Sequence, residues 1–338
     1  MSIKGGRERD LSRYYIKTYG ELLKQVDSKL RGLRTPATAR KTILLNKLEL
    51  AYRIIHDELG VIVSVLDVVD EMPEFFRELY RIYVGEDPDR TRQVFKAYMR
   101  IAKEIAQEYL DEIRRGSSDP VKVFREGLGR LLSLYKRKAR IIGLVKKYVS
   151  EVARMPDISG DYRVVIAGVP QVGKSTLISK LTRAKPEIGS YPFTTRNIVV
   201  GHMVVGDVGR MVLIDSPGII DTPLEEKNII EKRAILAIKY LADHLLFVFD
   251  VNPSFYYSIE EQLRVYETVR KLIGEKPVTL VVNKVDLVPG DILREMVELI
   301  KSKTGLKPIC ISALLEINMD ALREELVEAF TAYIQRPG

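Results

Sequence analysis

Gly168-Val169-Pro170-Gln171-Val172-Gly173-Lys174-Ser175-Thr176 is the stretch on which the reading of this chain turns. Gly168, Gly173, Lys174 and Ser175 stand at the spacing GxxxxGK[ST]. Glycines at these places let successive backbone N–H groups close around phosphates, and a helix beginning at the loop adds positive potential. The lysine then reaches the outer phosphates, and the serine hydroxyl ligates Mg²⁺. A short apolar run, residues 163–167, precedes the loop and a helical stretch follows it, which is the setting such a loop needs. Gly168, Pro170, Gln171, Val172, Gly173, Lys174, Ser175 and Thr176 are therefore the expected phosphate-side contacts.

Downstream, apolar runs at 198–205, 211–214, 245–251, 278–282 and 309–311 alternate with helical stretches. Such alternation predicts a mainly parallel, doubly wound sheet whose ligands bind beyond the C-terminal strand ends. One of those ends carries Asn283-Lys284-Val285-Asp286. A carboxylate at Asp286 can accept from the ring N–H and exocyclic amine of guanine, a donor pair that adenine lacks, so GTP is expected rather than ATP. Asn283, Lys284 and Asp286 join the site, and Ser312-Ala313 after the next strand complete the base pocket. Asp215-Ser216-Pro217-Gly218 places Asp215 to hold the Mg²⁺ shell through water and the Gly218 amide to meet the γ-phosphate. Tyr191-Pro192-Phe193-Thr194-Thr195 supplies a hydroxyl that binds Mg²⁺ when the γ-phosphate is present; Thr195 is favoured, with Thr194 as the alternative. Catalytic roles are thus assigned to Lys174, Thr195 and Gly218, and metal roles to Ser175, Thr195 and Asp215.

Two features bear on rate. Ile219 stands where a water-orienting glutamine follows the glycine in many regulatory GTPases, so slow intrinsic hydrolysis is expected. Gln171 follows the loop proline, Pro170, and brings a side-chain amide with long reach to the phosphate side, which leaves K⁺ activation open. Arg183 and Arg196 are nearby arginines read as solvated surface rather than as an arginine finger.

Upstream the pattern changes. Around residues 155–160 helical periodicity gives way to strand and helix, dividing 338 residues into a helical domain, 1–160, and a nucleotide domain, 161–338. Phe95, Tyr98, Ala102, Ile105 and Tyr109 recur at helical steps, with Pro88 as a start and Gly116 as a stop. Asp119 and Pro120 open a further helix, which carries Leu131, Leu134 and Tyr135. Segments 22–33 and 36–59 are also predicted as helices, with Gly32 and Gly60 near their ends. The β-branched run 61–69 reads as strand or buried helix, and helical neighbours favour helix.

The net charge of +8 is confined to this upstream part. Residues 1–160 hold 32 Lys and Arg against 23 Asp and Glu, and residues 161–338 hold 22 against 23. Two basic segments flank an acidic one. Lys136, Arg137, Lys138 and Arg140 are candidate RNA phosphate contacts, with Tyr14, Tyr15, Tyr19, Tyr135 and Tyr148 as candidate stacking partners for bases. The single cysteine, Cys310, excludes internal disulfides, and His56, His202 and His244 lack metal-ligand spacing. No apolar run approaches the roughly 20 residues needed to span a bilayer, and no signal-peptide pattern opens the chain. A cytoplasmic protein with no DNA or membrane partner is expected.

The segments GVPQVGKST, YPFTTRNIVVGH, DSPGIID, FVFDVNPSFYYSIEEQ, NKVDLV and SA, taken together, resemble the nucleolar GTP-binding protein (Nog) family of Obg-related translation GTPases. The resemblance covers residues 161 to about 315 by motif and the first 160 residues by position and character. It implies a helical bundle followed by a P-loop GTPase domain, in an archaeal-like short form without a long C-terminal extension. It also implies Mg²⁺-dependent hydrolysis of GTP to GDP and phosphate, a role in large-ribosomal-subunit assembly, and contact with the subunit precursor and its rRNA. In that reading the segments around Thr195 and Gly218, with Asp221 and the helix at 224–240, form the moving unit. A scaffold that binds RNA under GTP control with little hydrolysis, and a membrane-surface GTPase, are the alternatives. A signal-recognition-type GTPase also joins a helical domain to a nucleotide domain, but its base motif and large insertion differ from this chain.

Overall fold

In the computed structural model, residues 11–33, 40–182, 185–192, 197–215 and 237–335 are described. They form two compact units that divide between Ala153 and Arg154.

The first unit is helical. Its helices are α1 (Tyr19–Gly32), α2 (Arg40–Glu71), α3 (Glu74–Val84), α4 (Pro88–Arg115), α5 (Pro120–Arg137) and α6 (Ala139–Val152). The ends follow local chemistry. Thr18 and Glu21 form a capping box at α1. Asp87 caps α4 with Pro88 in the first turn, and Asp119 accepts from the amides of Val121 and Lys122 at α5. Gly116 ends α4 in the left-handed region at φ 91°.

Gly60 does not end a helix, contrary to the sequence expectation: α2 runs through it to Glu71, and the 61–69 run is helical. The cause is burial. Leu59, Ile62, Val65, Leu66 and Val69 are fully buried, and the packing of α2 on α4 and α5 outweighs the roughly 1 kcal/mol that an interior glycine costs a helix.

Tyr135 and Tyr148 are core residues rather than base-stacking platforms. Both are completely buried, and their hydroxyls donate to the carbonyl oxygens of Lys17 (2.6 Å) and Phe76 (2.9 Å). Tyr15 is exposed, while Tyr14 and Tyr19 are half-buried.

Within the acidic middle segment, three arginines pair with acids of the same segment. Arg77 pairs with Asp70 and Asp89, Arg81 with Glu74, Glu78 and Asp87, and Arg92 with Asp67, Asp70 and Asp89. This network joins α2, α3 and the start of α4. Lys136, Arg137 and Arg140 stay exposed, with Lys138 half-buried at the junction of α5 and α6. The ammonium groups of Lys136 and Lys138 lie over the rings of Tyr19 (6.0 Å) and Tyr98 (5.2 Å).

The second unit is a seven-stranded sheet. Its strands are β1 (Tyr162–Ala167), β2 (Glu187–Ser190), β3 (Asn197–Val205), β4 (Gly209–Asp215), β5 (His244–Asp250), β6 (Val278–Asn283) and β7 (Ile309–Cys310). The spatial order is β2-β3-β4-β1-β5-β6-β7. Strands β4, β1, β5, β6 and β7 are parallel, while β2 and β3 form an antiparallel edge. The helices are α7 (Lys174–Leu181), α8 (Ile259–Ile273), α9 (Gly290–Thr304) and α10 (Met319–Ile334).

Alternation along β5 covers both faces of the sheet. Leu246 and Val248 pack in one cluster with Leu177 and Ile178 of α7 and Leu322 and Phe330 of α10. Phe247 and Phe249 face Tyr266 of α8 on the other side, with ring centroids 5.3 and 6.2 Å away. Because β1 has β4 on one flank and β5 on the other, the strand order reverses at its C-terminal end, the usual ligand position in such sheets.

At the opposite end of the sheet, His244 is buried between two hydroxyls. Nδ1 lies 2.8 Å from the Tyr162 hydroxyl and Nε2 2.9 Å from Thr279 Oγ1. Both hydroxyls can donate or accept, so the neutral ring is satisfied in either tautomer. Burial lowers the pKa of His244 from 6.5 to about 4. Protons then bind the unfolded chain more readily than the folded one between these values. Stability from this group is complete above pH 6.5 and declines as pH falls toward 4, by on the order of 3 kcal/mol. Urea midpoints measured from pH 7 to 4 should show the decline, and His244→Gln should flatten it; an equal slope in the variant would assign the acid sensitivity elsewhere.

Candidate nucleotide-binding site

The loop between β1 and α7 has the backbone that its glycines were expected to allow. Gly168 and Gly173 have φ of 148° and 97°, and a Cβ at either would approach within 2.4 Å of Val248 O or Asn283 Nδ2 respectively. Neither place admits a side chain. Gln171, with φ 68°, is exposed at the tip.

Lys174 opens α7 and is buried at 7% exposure, its ammonium donating to the carbonyl oxygens of Gly168 (2.6 Å) and Val169 (3.0 Å). The next residue reaches across to β4: Ser175 Oγ donates to Asp215 Oδ2 at 2.8 Å, and Asp215 is fully buried at the strand end. A hydroxyl and a carboxylate at this separation are hard oxygen donors that suit Mg²⁺. Magnesium would supply charge neutralisation at phosphate oxygens there.

The segment 283–286 is tied to the loop between β1 and α7 by two consecutive residues. Asn283 Nδ2 donates to Val172 O at 2.8 Å, and its Oδ1 accepts from the Ala313 amide at 2.9 Å. Both polar atoms of Asn283 are spent on joining the three loops. Lys284, in the left-handed region at φ 60°, donates to Gln171 O at 2.7 Å. Asp286 follows in a short 3-10 turn, Val285–Leu287, with its side chain exposed. Ser312 and Ala313 are buried, and Ser312 exchanges backbone bonds with Ile317 (3.1 and 3.0 Å) while its Oγ accepts from the Leu315 amide.

The structure thus gathers Gly168, Pro170, Gln171, Val172, Gly173, Lys174, Ser175, Thr176, Asp215, Asn283, Lys284, Asp286, Ser312 and Ala313 at one end of the sheet. Thr194, Thr195, Gly218, Ile219, Asp221, Arg183 and Arg196 lie outside the described residues, as does 224–236; Ala237–Tyr240 forms a 3-10 turn.

Residues 16–159 match a family model described as the NOG1 N-terminal helical domain, and residues 163–284 match one described as a 50S ribosome-binding GTPase. The chain belongs to the Nog family. An uncharacterized protein of Methanocaldococcus jannaschii is 34% identical over 238 residues, covering 70% of this chain and 66% of the relative. Nucleolar GTP-binding protein 1 of Drosophila melanogaster is 28% identical over 316 residues, 89% of this chain and 48% of the relative. That of Caenorhabditis elegans is 33% identical over 248 residues, 71% of this chain and 36% of the relative. The matched region of this Nog-family chain therefore spans between 36 and 66% of the length of these three relatives. Among the described residues no helix is long and apolar enough to cross a membrane.

Sequence reasoning passed over two residues of the site, Asp250 and Gln262. Asp250 Oδ2 lies 2.7 Å from Lys284 Nζ, and its side chain is 1% exposed. Gln262 closes the loop after β5 by accepting from the Asp250 amide (3.0 Å) and donating to the Asp250 and Tyr257 carbonyl oxygens (2.7 and 3.2 Å). The available signal was position: Asp250 ends a parallel strand on the ligand side of the sheet.

Proposed function

We propose that this chain is a Mg²⁺-dependent GTPase switch that hydrolyses GTP slowly and acts in assembly of the large ribosomal subunit. The observation that carries the reading is the set of hydrogen bonds that joins the three loops at the strand ends: Asn283 to Val172, Lys284 to Gln171, and Ser175 to Asp215. Lys174 would bind the outer phosphates, Ser175 and Thr195 the metal, and Asp215 its shell. Asp286 would select guanine. Thr195 and the Gly218 amide would sense the γ-phosphate, releasing their segments after hydrolysis. Gln171 is the candidate K⁺ ligand.

The ribosomal part of the reading is supported by the names of the relatives and by the confinement of excess positive charge to residues 1–160. The cations at Lys136, Arg137, Lys138 and Arg140 would meet rRNA phosphates. In the full chain, changing these four to Gln should weaken binding to large-subunit rRNA. It should also reduce the slope of log affinity against log salt by about 0.7 to 0.9 for each phosphate no longer neutralised, with GTP binding intact. An unchanged slope and affinity would remove them from the interface. Single-turnover hydrolysis by the same protein should be slow in Na⁺; fast turnover there would reject the role given to Ile219.

A further inference from the structure

We propose that Asp250 is a positioning residue for nucleotide binding: its buried carboxylate fixes the Lys284 ammonium, and through it the register between base segment and phosphate loop. The proposal rests on the nucleotide reading above. Asp250 and Asn283 are directly paired at the ends of the parallel strands β5 and β6. From these two strand ends, two successive carbonyls of the phosphate loop are held. Asn283 donates to Val172 O directly. Gln171 O is held one step removed, by Lys284, whose ammonium is shared between that carbonyl and Asp250 Oδ2, each at 2.7 Å, and lies 5.2 Å from the centre of the Phe255 ring.

The side chain of Lys284 is 30% exposed, so water competes for its ammonium. A carboxylate with 1% exposure has no such alternative. The buried partner therefore sets where the mobile one rests. Without that charge the ammonium turns to solvent and Gln171 O loses the Lys284 donor that ties it to the strand ends, at a loop position already in the left-handed region.

A purely structural role for Asp250 has its own signature. Asp250 Oδ1 accepts from the Asn252 amide at 3.0 Å, which shapes the turn after β5, and Gln262 ties the ends of that loop independently of charge. Asp250→Asn keeps the shape and an oxygen for the Asn252 amide while removing only the charge that faces Lys284.

The test is titration of the full chain with a fluorescent GDP analogue, with Asp250→Asn and Lys284→Met combined in a double-mutant cycle. Asp250→Asn should weaken the analogue by about tenfold or more, chiefly through faster dissociation, and by less than about twofold when Lys284 is already Met. Equal costs in both backgrounds, or no cost in the wild-type background, would overturn the proposal while leaving the nucleotide site in place. Failure of the wild-type chain to bind the analogue would overturn the nucleotide reading and this proposal with it. Should Asp250→Asn not fold, Asp250→Ser, which also keeps an oxygen near the Asn252 amide, takes its place in the cycle with the same expected outcome.

Discussion

Asp286→Asn should convert a guanine site into a xanthine site. The wild-type carboxylate offers two acceptors, matching the ring N–H and the exocyclic amine of guanine. Xanthine carries a carbonyl where guanine has the amine, so it presents one donor and one acceptor to the same edge. An asparagine amide, with one oxygen and one N–H₂, complements that arrangement and leaves the guanine amine facing a donor. Sites built around hydrogen bonds reject mismatched partners strongly, because each unmet polar group gives up its solvation without recompense. GTP affinity should fall by about a hundredfold or more and XTP affinity should rise. The side chain is exposed in its turn, and substitutions at such positions change stability by only about 0.5 kcal/mol. Competition of GTP and XTP against a fluorescent GDP analogue, run on both proteins, is the measurement. Equal XTP affinity before and after substitution would reject the pocket assigned to Asp286.

How far the site could be read beforehand depended on the kind of interaction involved. The phosphate loop and NKVD were legible because each is a contiguous string whose chemistry needs those residue types in that order. Strand positions were legible for the same local reason: parallel strands covered on both faces, such as His244–Asp250, are short continuous apolar runs. β2 was not, since Glu187-Ile188-Gly189-Ser190 is an antiparallel edge with little buried surface. The stop predicted at Gly60 failed because a local propensity was set against burial by α4 and α5, which are distant in sequence. Asp250 and Gln262 lie within a family-like segment, yet their residue types alone carry no chemistry. Their roles exist only through Lys284 and through the loop that Gln262 closes, interactions that no periodicity encodes. Asn283 shows the same limit: its type and place were readable, but its use as a brace between Val172 and Ala313 is a fact of three dimensions.

Lys174→Ala should abolish useful nucleotide affinity while leaving the fold as stable as before. Folding alone gives little reason for a lysine here. It begins α7, so its charge sits at the positive end of the helix dipole, where a cation is disfavoured, and it is 7% exposed, which penalises an ammonium further. Among the partners that offset these costs in the folded chain are two loop carbonyls, Gly168 O and Val169 O. Such hydrogen bonds restrain the loop, but carbonyls are weaker partners for an ammonium than phosphate oxygens would be. Alanine removes the misplaced charge and has the higher helix propensity, so relief of both penalties offsets the bonds lost with the ammonium. Binding has no such compensation, because the outer phosphates are deprived of their buried cation. Removing a charge-assisted hydrogen bond from a desolvated site corresponds to roughly 3 kcal/mol, or about a hundredfold. Thermal melting without nucleotide and calorimetric titration with GDP and GTP separate the two effects. A melting point lowered well below that of the wild type would make Lys174 a structural residue, and unchanged affinity would mean that the loop does not bind phosphate.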